Sequence, residues 1–345
     1  MVKNKIKKRV LQEISYASGK YLISPEIVSL VVTFRCNFKC QACTVWRAEK
    51  YPELSQAEWE KISDQLKFSL SKKTSIEISG GESMIRKDLV FFLINHLKNF
   101  FENVGINSNG YLLDEKNISD LKMAGVDFVK ISLYGLKETV HDDLRGVPGS
   151  AKKAKEAIDL LQKQGIQVDI GVLITRKNIS DIPNLINYYN RPGHEKISIV
   201  LQSLDEPIGV EPASGQDKIA TIESLWPDKK SIEELFSWLS KNKTQKIKNS
   251  TASLSAIKQY YLDQASALKR RCFAGQRSLV IYPDGKLAVC YKGAIIGNMA
   301  NENLKDILIG EKARKERLKI KKCPKKCRII GCNFSKTIPE ILGIR

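Results

Sequence analysis

The sequence predicts an α/β protein: a partial (βα)6 barrel of the TIM type, followed by a small C-terminal domain of a β-hairpin and helices. Three observations carry this prediction. Six segments, several rich in Val and Ile, recur between residues 27 and 201, and amphipathic segments separate them. That alternation is the pattern of parallel βα units, and six of them fall short of the eight that close a barrel. After residue 203 the rhythm stops, and from residue 272 a hairpin pattern takes over.

Taken in order, residues 1–24 read as a basic extension carrying Lys3, Lys5, Lys7, Lys8 and Arg9. Residues 25–205 form the barrel. Its candidate strands cover 27–33, 75–79, 104–108, 128–133, 168–174 and 197–201, several of them apolar on both faces as buried parallel strands are. Ser55 with Glu58 makes a capping box that opens a helix over "QAEWEKISDQLKFSL". "KDLVFFLINHLKNF", "EKNISDLKMAG", "SAKKAKEAIDLLQKQG" and "DIPNLINYY" supply further helices, with Gly125 and Gly165 as C-caps. Residues 206–270 read as a loop rich in Pro, Gly and acid, then a helical bridge over 231–242 and 254–268. In residues 271–345, "SLVIYPDGKLAVC" is two short strands around the turn Pro283-Asp284-Gly285.

The apolar runs are too short to span a bilayer, and "LQEISYASGK" is too polar for a signal-peptide core, so a cytoplasmic protein is expected. In a reducing compartment eight cysteines argue for metal or catalysis over disulfides. The net charge is +19, and ten Lys/Arg against two Glu lie between residues 311 and 328. Such a surplus favours anionic partners, nucleic acid among them, or is simply a solvated face.

Cys36, Cys40 and Cys43 are spaced C-x3-C-x2-C just after the first strand, where a barrel places its reagents. Three thiolates can hold three irons of a [4Fe–4S] cubane and leave the fourth iron open, as catalytic metal centres are. A zinc site or a simple electron carrier is the competing reading of these three alone.

In this motif the chain resembles the radical S-adenosylmethionine (SAM) superfamily. The resemblance implies that SAM chelates the fourth iron, and that the reduced cluster cleaves it to a 5′-deoxyadenosyl radical that takes a substrate hydrogen. Other segments match at successive strand ends. "ISGGES" places Gly80, Gly81 and Glu82 at the SAM amino group. "INSNG" places Asn109 at the third strand end. "VKISLYG" places Ser132 near the ribose or carboxylate, and "HDDLRG" places Arg145 near the carboxylate. Ala42, Ser83 and Tyr134 depart from the common pattern, Tyr134 standing where an aspartate is frequent.

Five further cysteines lie late. Cys272 and Cys290 are spaced C-x12-G-x4-C across the hairpin, and Cys323, Cys327 and Cys332 follow as C-x3-C-x4-C. The arrangement resembles the SPASM auxiliary-cluster domain or its shortened form, twitch. Five thiols cannot ligate two cubanes, so one auxiliary [4Fe–4S] cluster is expected with one thiol spare. A zinc ribbon is the alternative. Cys332 is the expected spare thiol and the candidate hydrogen donor to a substrate radical. The resemblance implies an oxidoreductase that abstracts hydrogen from a peptide or peptide-like substrate, fed by a flavodoxin- or ferredoxin-type reductant. Small-molecule oxidation of the alcohol-dehydrogenation type, RNA modification and a non-enzymatic iron–sulfur carrier are the alternatives.

Overall fold

Six parallel strands follow one another in chain order across the sheet: β1 (Ile27–Thr33), β2 (Ser75–Gly80), β3 (Asn103–Ser108), β4 (Phe128–Ser132), β5 (Gln167–Ile174) and β6 (Ile197–Ser203). The computed structural model describes residues 2–48, 50–204, 222–242 and 244–327. The loop 205–221, the C-terminal residues 328–345 and with them Cys332 lie outside the described residues. β6 is one edge of the sheet, so the barrel is open there.

The hairpin strands β7 (Ser278–Ile281) and β8 (Lys286–Ala288) form around Pro283-Asp284-Gly285 as expected, and β9 (Ile295–Asn298) adds a third strand. They do not stand apart from the barrel. β7 runs parallel to β1 with Ile27 opposite Ser278, giving one nine-stranded sheet in the order β6-β5-β4-β3-β2-β1-β7-β8-β9. β1 is therefore hydrogen-bonded on both sides.

β1 keeps a buried Val31 on its second face, but most of the strands are not apolar on both faces. One face packs on the helices: Ile76, Ile78, Val104, Ile106, Val129, Ile131, Val168 and Ile170 are all fully buried against residues such as Trp59, Leu66, Leu93 and Ile158. Because side chains alternate along a strand, the other positions face the barrel lumen. There the register sets Asn107, Lys130, Asp169 and Ser198 side by side. Lys130 Nζ lies 3.1 Å from the Glu77 carboxylate, to which Asn107 Nδ2 also donates at 3.4 Å. Ser132 and Gly171 lie opposite each other one layer nearer the strand ends, and leave room above this polar belt.

The caps at Ser55 and Gly125 are those the sequence predicts, whereas Gly165, at φ +74°, stands one residue beyond Gln164, the C-cap of Ser150–Lys163. Ser55 and Glu58 satisfy each other's backbone N–H groups at the start of Gln56–Ser69, a device worth about 1 kcal/mol. Gly125 ends Glu115–Ala124 at φ +88°, donating to Leu121 and Lys122 carbonyls, a conformation other residues reach only with strain.

The N-terminal segment is a helix, Val2–Ser18, built into the C-terminal part of the chain. The Tyr16 ring stacks on Phe273 at 4.8 Å, and Arg9 lies over the same Phe273 ring at 4.4 Å. Arg271 lies over Tyr16 at 4.2 Å and pairs with Glu13 at 2.6 Å. Arg317 Nε donates to the Gly19 carbonyl at 2.7 Å. Among the described residues no helix is long and apolar enough to cross a membrane.

Candidate functional site

Cys36, Cys40 and Cys43 are half-buried in the loop after β1. The ends of β3, β4 and β5 hold that loop. Asn109, after β3, donates from Nδ2 to Asn37 Oδ1 at 2.7 Å. Phe38, buried, meets Tyr111 edge-on at 5.6 Å. The backbone N–H of Gln41 donates to the Leu144 carbonyl at 3.0 Å, and its side-chain amide donates to the Asp143 carbonyl at 2.7 Å. Lys177, after β5, donates to Gln41 Oε1 at 3.0 Å and Asp143 Oδ2 at 2.6 Å.

Arg145 ends the helix Glu138–Arg145, 8% exposed. Its guanidinium is sandwiched between Phe38 at 5.3 Å and Tyr134 at 5.1 Å, and donates to Tyr134 Oη at 3.0 Å. Burial opposes its charge, but the neighbouring Cys40, Tyr134 and Cys36 more than offset this and hold its pKa above the ordinary value. Tyr134, which stands in place of the frequent aspartate, is thus the partner of Arg145. Its backbone N–H donates to His141 Nδ1 at 3.1 Å. Burial, reinforced by Arg145, lowers the His141 pKa to about 3, so the ring is neutral and its proton sits on Nε2. That Nε2 and Arg145 Nε are both buried without a hydrogen-bond partner among the described residues. Two orphaned donors one helical turn apart, beside three cysteines, are what a polar ligand would satisfy.

The thiols need such company. Burial, with smaller contributions from Cys40 and Glu82, pushes Cys36 up to about 12, against the Phe38 N–H and Arg145. Burial likewise raises Cys43. A bound cation offsets that cost, because thiolate is the ligating form. This donor set fits an iron–sulfur cluster.

Gly80 and Gly81 let the chain pack closely on itself. A Cβ on Gly81 would lie 2.4 Å from the Arg35 carbonyl oxygen and 2.6 Å from that of Phe34, and one on Gly80 would lie 2.4 Å from that of Thr33. Gly81 N–H donates to Thr33 and Glu82 N–H to Arg35, each at 2.9 Å, so the end of β2 is stitched to the residues leading into Cys36. Glu82 is fully buried and accepts from Asn109 N–H at 2.7 Å, Ser108 Oγ at 2.9 Å and Met84 N–H at 3.1 Å. Burial raises its pKa against those donors. Ser132 ends β4, half-buried, and its hydroxyl makes no hydrogen bond among the described residues. Sequence reasoning missed Glu53, which receives Arg35 Nε at 3.1 Å and Thr33 Oγ1 and so braces the same loop. No local motif marks such a residue. Asn178, four residues after β5, donates to the Tyr134 carbonyl at 2.6 Å and was equally silent.

A second site lies in the C-terminal part. Cys272, Cys290, Cys323 and Cys327 line one cavity of about 360 Å³, together with Lys292, Lys319, Lys322 and Lys325. At about 30 Å³ per water that is space for a many-atom group. Burial raises the Cys290 thiol, Cys323 adds to the rise, and Lys325 and Lys292 oppose it. Four thiols with basic neighbours fit a fully ligated cubane. Changing any one of these four to Ala is therefore expected to remove the iron held here, while Cys332→Ala keeps it. Iron counted per chain after anaerobic loading decides this. A loss in all five variants, or in none, would refute a four-thiolate site.

Phe273 follows Cys272, so the N-terminal helix grips the neighbour of a candidate ligand. Tyr16→Ala removes a stacked pair and two cation–π contacts, with Arg271 and Lys321, together about 1–3 kcal/mol. Expected are a lower melting temperature and faster chelator extraction of the iron at the four-cysteine site, with the iron at Cys36, Cys40 and Cys43 extracted at the parent rate. Equal extraction rates at the four-cysteine site would rule out this bracing.

Comparisons with known proteins agree with this geometry. The family model described as the Radical SAM superfamily matches residues 30–189, and the SPASM model, an iron–sulfur cluster-binding domain, matches residues 272–333. The chain is 24% identical to a PqqA peptide cyclase of Gluconobacter oxydans over 81% of its own length and 74% of the relative's. It is 31% identical to an AdoMet-dependent heme synthase of Oleidesulfovibrio alaskensis over 44% of its length, spanning only 39% of that relative. Streptococcus suis SuiB bound to its precursor peptide SuiA superposes with a TM-score of 0.65, covering 89% of this chain and 70% of that one at 15% identity, which shows a shared fold.

Proposed function

Starting from a chain that belongs to the radical SAM superfamily and carries a SPASM iron–sulfur domain after its barrel, we propose that it modifies a peptide or peptide-like substrate at an sp³ carbon. The observation that carries the substrate class is the extent of the likeness to the peptide cyclase, 81% of the chain, where the heme synthase shares 44%. The open β6 edge and the polar belt of the lumen are in keeping with a chain-like substrate.

In this reading Cys36, Cys40 and Cys43 hold the SAM-binding [4Fe–4S] cluster, and Cys272, Cys290, Cys323 and Cys327 hold the auxiliary one. When bound, cluster and SAM supply reductive SAM cleavage and hydrogen abstraction. The chain's own groups orient and enclose. Arg145, fixed by Phe38 and Tyr134, offers Nε–H to a carboxylate, and His141 offers Nε2–H. Ser132 leaves a hydroxyl for a sugar or carboxylate oxygen. Gly80, Gly81 and Glu82 act by holding the cysteine loop to β2, and Asn109 by holding it to β3. A cytoplasmic setting and a flavodoxin- or ferredoxin-type reductant belong to the same reading, supported by cysteines placed for metal.

The test is anaerobic incubation of the iron-loaded protein with SAM, dithionite and short peptides encoded near its gene. Formation of 5′-deoxyadenosine with a mass change in one peptide is expected. Turnover of a porphyrin or a nucleotide with no peptide modified would overturn the substrate class, and no 5′-deoxyadenosine at all would overturn the enzyme.

A further inference from the structure

The helix Glu311–Ile320 and the turn after it carry nine Lys/Arg against two Glu in residues 311–327. The charge is patterned. Lys312, Lys315 and Lys319 lie at i, i+3 and i+7, which is one helix face, and Lys322 continues the row. All four are exposed and make no ion pair among the described residues. The stripe ends at the four-cysteine cavity, whose lining includes Lys319 and Lys322, with exposed Lys325 across the mouth. Lys325 Nζ donates to the Lys292 carbonyl at 2.8 Å, which fixes one side of the rim. Both glutamates of this stretch are engaged, although Glu316 itself lines the cavity. Glu311 pairs with Arg314 at 3.0 Å, and Glu316 is buried, accepting from the Ala294 N–H at 3.0 Å. No aromatic side chain stands among residues 311–327, so the face lacks the stacking platforms that bind single-stranded nucleic acid.

We propose that this lysine row is the docking surface for a small acidic electron-carrier protein, which approaches the chain at the mouth of the auxiliary site. The inference rests on reading that cavity as an iron–sulfur site. Charge concentrated around one opening orients an acidic partner before contact and raises its association rate by about 10 to 1,000-fold at low salt. Electron-transfer encounters need only a small interface, and a row of four lysines beside a cavity mouth offers that much.

The experiment uses the full-length, iron-loaded protein and a flavodoxin of strongly negative net charge as probe, with association rates measured by surface-bound optical detection at low salt and at about 0.5 M salt, where screening falls within a few ångströms. The variant Lys315→Glu/Lys319→Glu/Lys322→Glu is expected to lose about tenfold or more in association rate at low salt, and the difference should vanish at high salt. A control, Lys152→Glu/Lys163→Glu/Lys229→Glu, changes the net charge equally on exposed helices elsewhere and is expected to leave the rate within about twofold. Iron content matching the parent shows that the variant is folded and loaded. Equal losses in both variants would mean that net charge alone matters, and would overturn the proposal. So would an unchanged rate in the row variant, or a single-stranded oligonucleotide that binds the row more tightly than the carrier does. SAM cleavage with dithionite, which needs no docking, is measured alongside. If it persists while the row variant binds normally, the docking idea fails and the enzyme reading stands.

Discussion

Replacing Cys36, Cys40 and Cys43 together by Ala is expected to lower the iron content from about eight to about four per chain and to abolish 5′-deoxyadenosine formation. The two cysteine sets are separate, one in the loop after β1 and one around the cavity beside Glu311–Ile320. Loss of the first should therefore leave the second filled. Iron analysis and the broad iron–sulfur absorbance measure the first outcome, and chromatography of the nucleoside the second. Residual 5′-deoxyadenosine in this variant would remove the site from the β1 loop.

Gly81→Val is expected to strip iron from the same loop, as well as weakening SAM binding. The sequence alone suggests the opposite, that a side chain here crowds the ligand and spares the iron. The structure gives the reason for the change. The new Cβ would lie 2.4 Å from the Arg35 carbonyl oxygen, one residue before Cys36, and backbone cannot move aside as a flexible side chain can. Either the end of β2 or the cysteine loop must shift, and with it the two hydrogen bonds at 2.9 Å that join them. We expect a loss of stability of about 3 kcal/mol or more and an iron content near four per chain. Gly81→Ala should show most of the effect, because the first carbon makes the clash. Full iron content with weakened SAM binding would restore the simpler view of Gly81 as a ligand cradle.

Much of the scaffold was legible because its signals are local. The capping box at Ser55, the left-handed Gly125 and the Val/Ile runs of β1 to β6 each lie within a few residues, and the structure has them where expected. The three cysteines were legible because their spacing is short. What could not be read depends on partners distant in sequence. The lumen's polarity becomes visible only when Asn107, Lys130 and Asp169 are set side by side from three strands. Tyr134 looked like a departure from a pattern until Arg145, eleven positions on, was seen to donate to it. The pairing of β7 with β1 joins residues some 250 apart, which no period in the sequence announces.

The N-terminal helix has a bearing on how the chain comes into being. It is synthesised well before Arg271, Arg317 and Lys321, which hold it; the separations reach 304 residues. Until then its Tyr16 has no Phe273 to stack on. The helix must wait with that face uncovered while the residues between are made, and contacts this distant close slowly. The barrel can assemble as it is made, strand beside strand. The four-cysteine cavity has no such course open to it: a cluster held by all four thiols could form only after Cys327, 55 residues beyond Cys272, has been made.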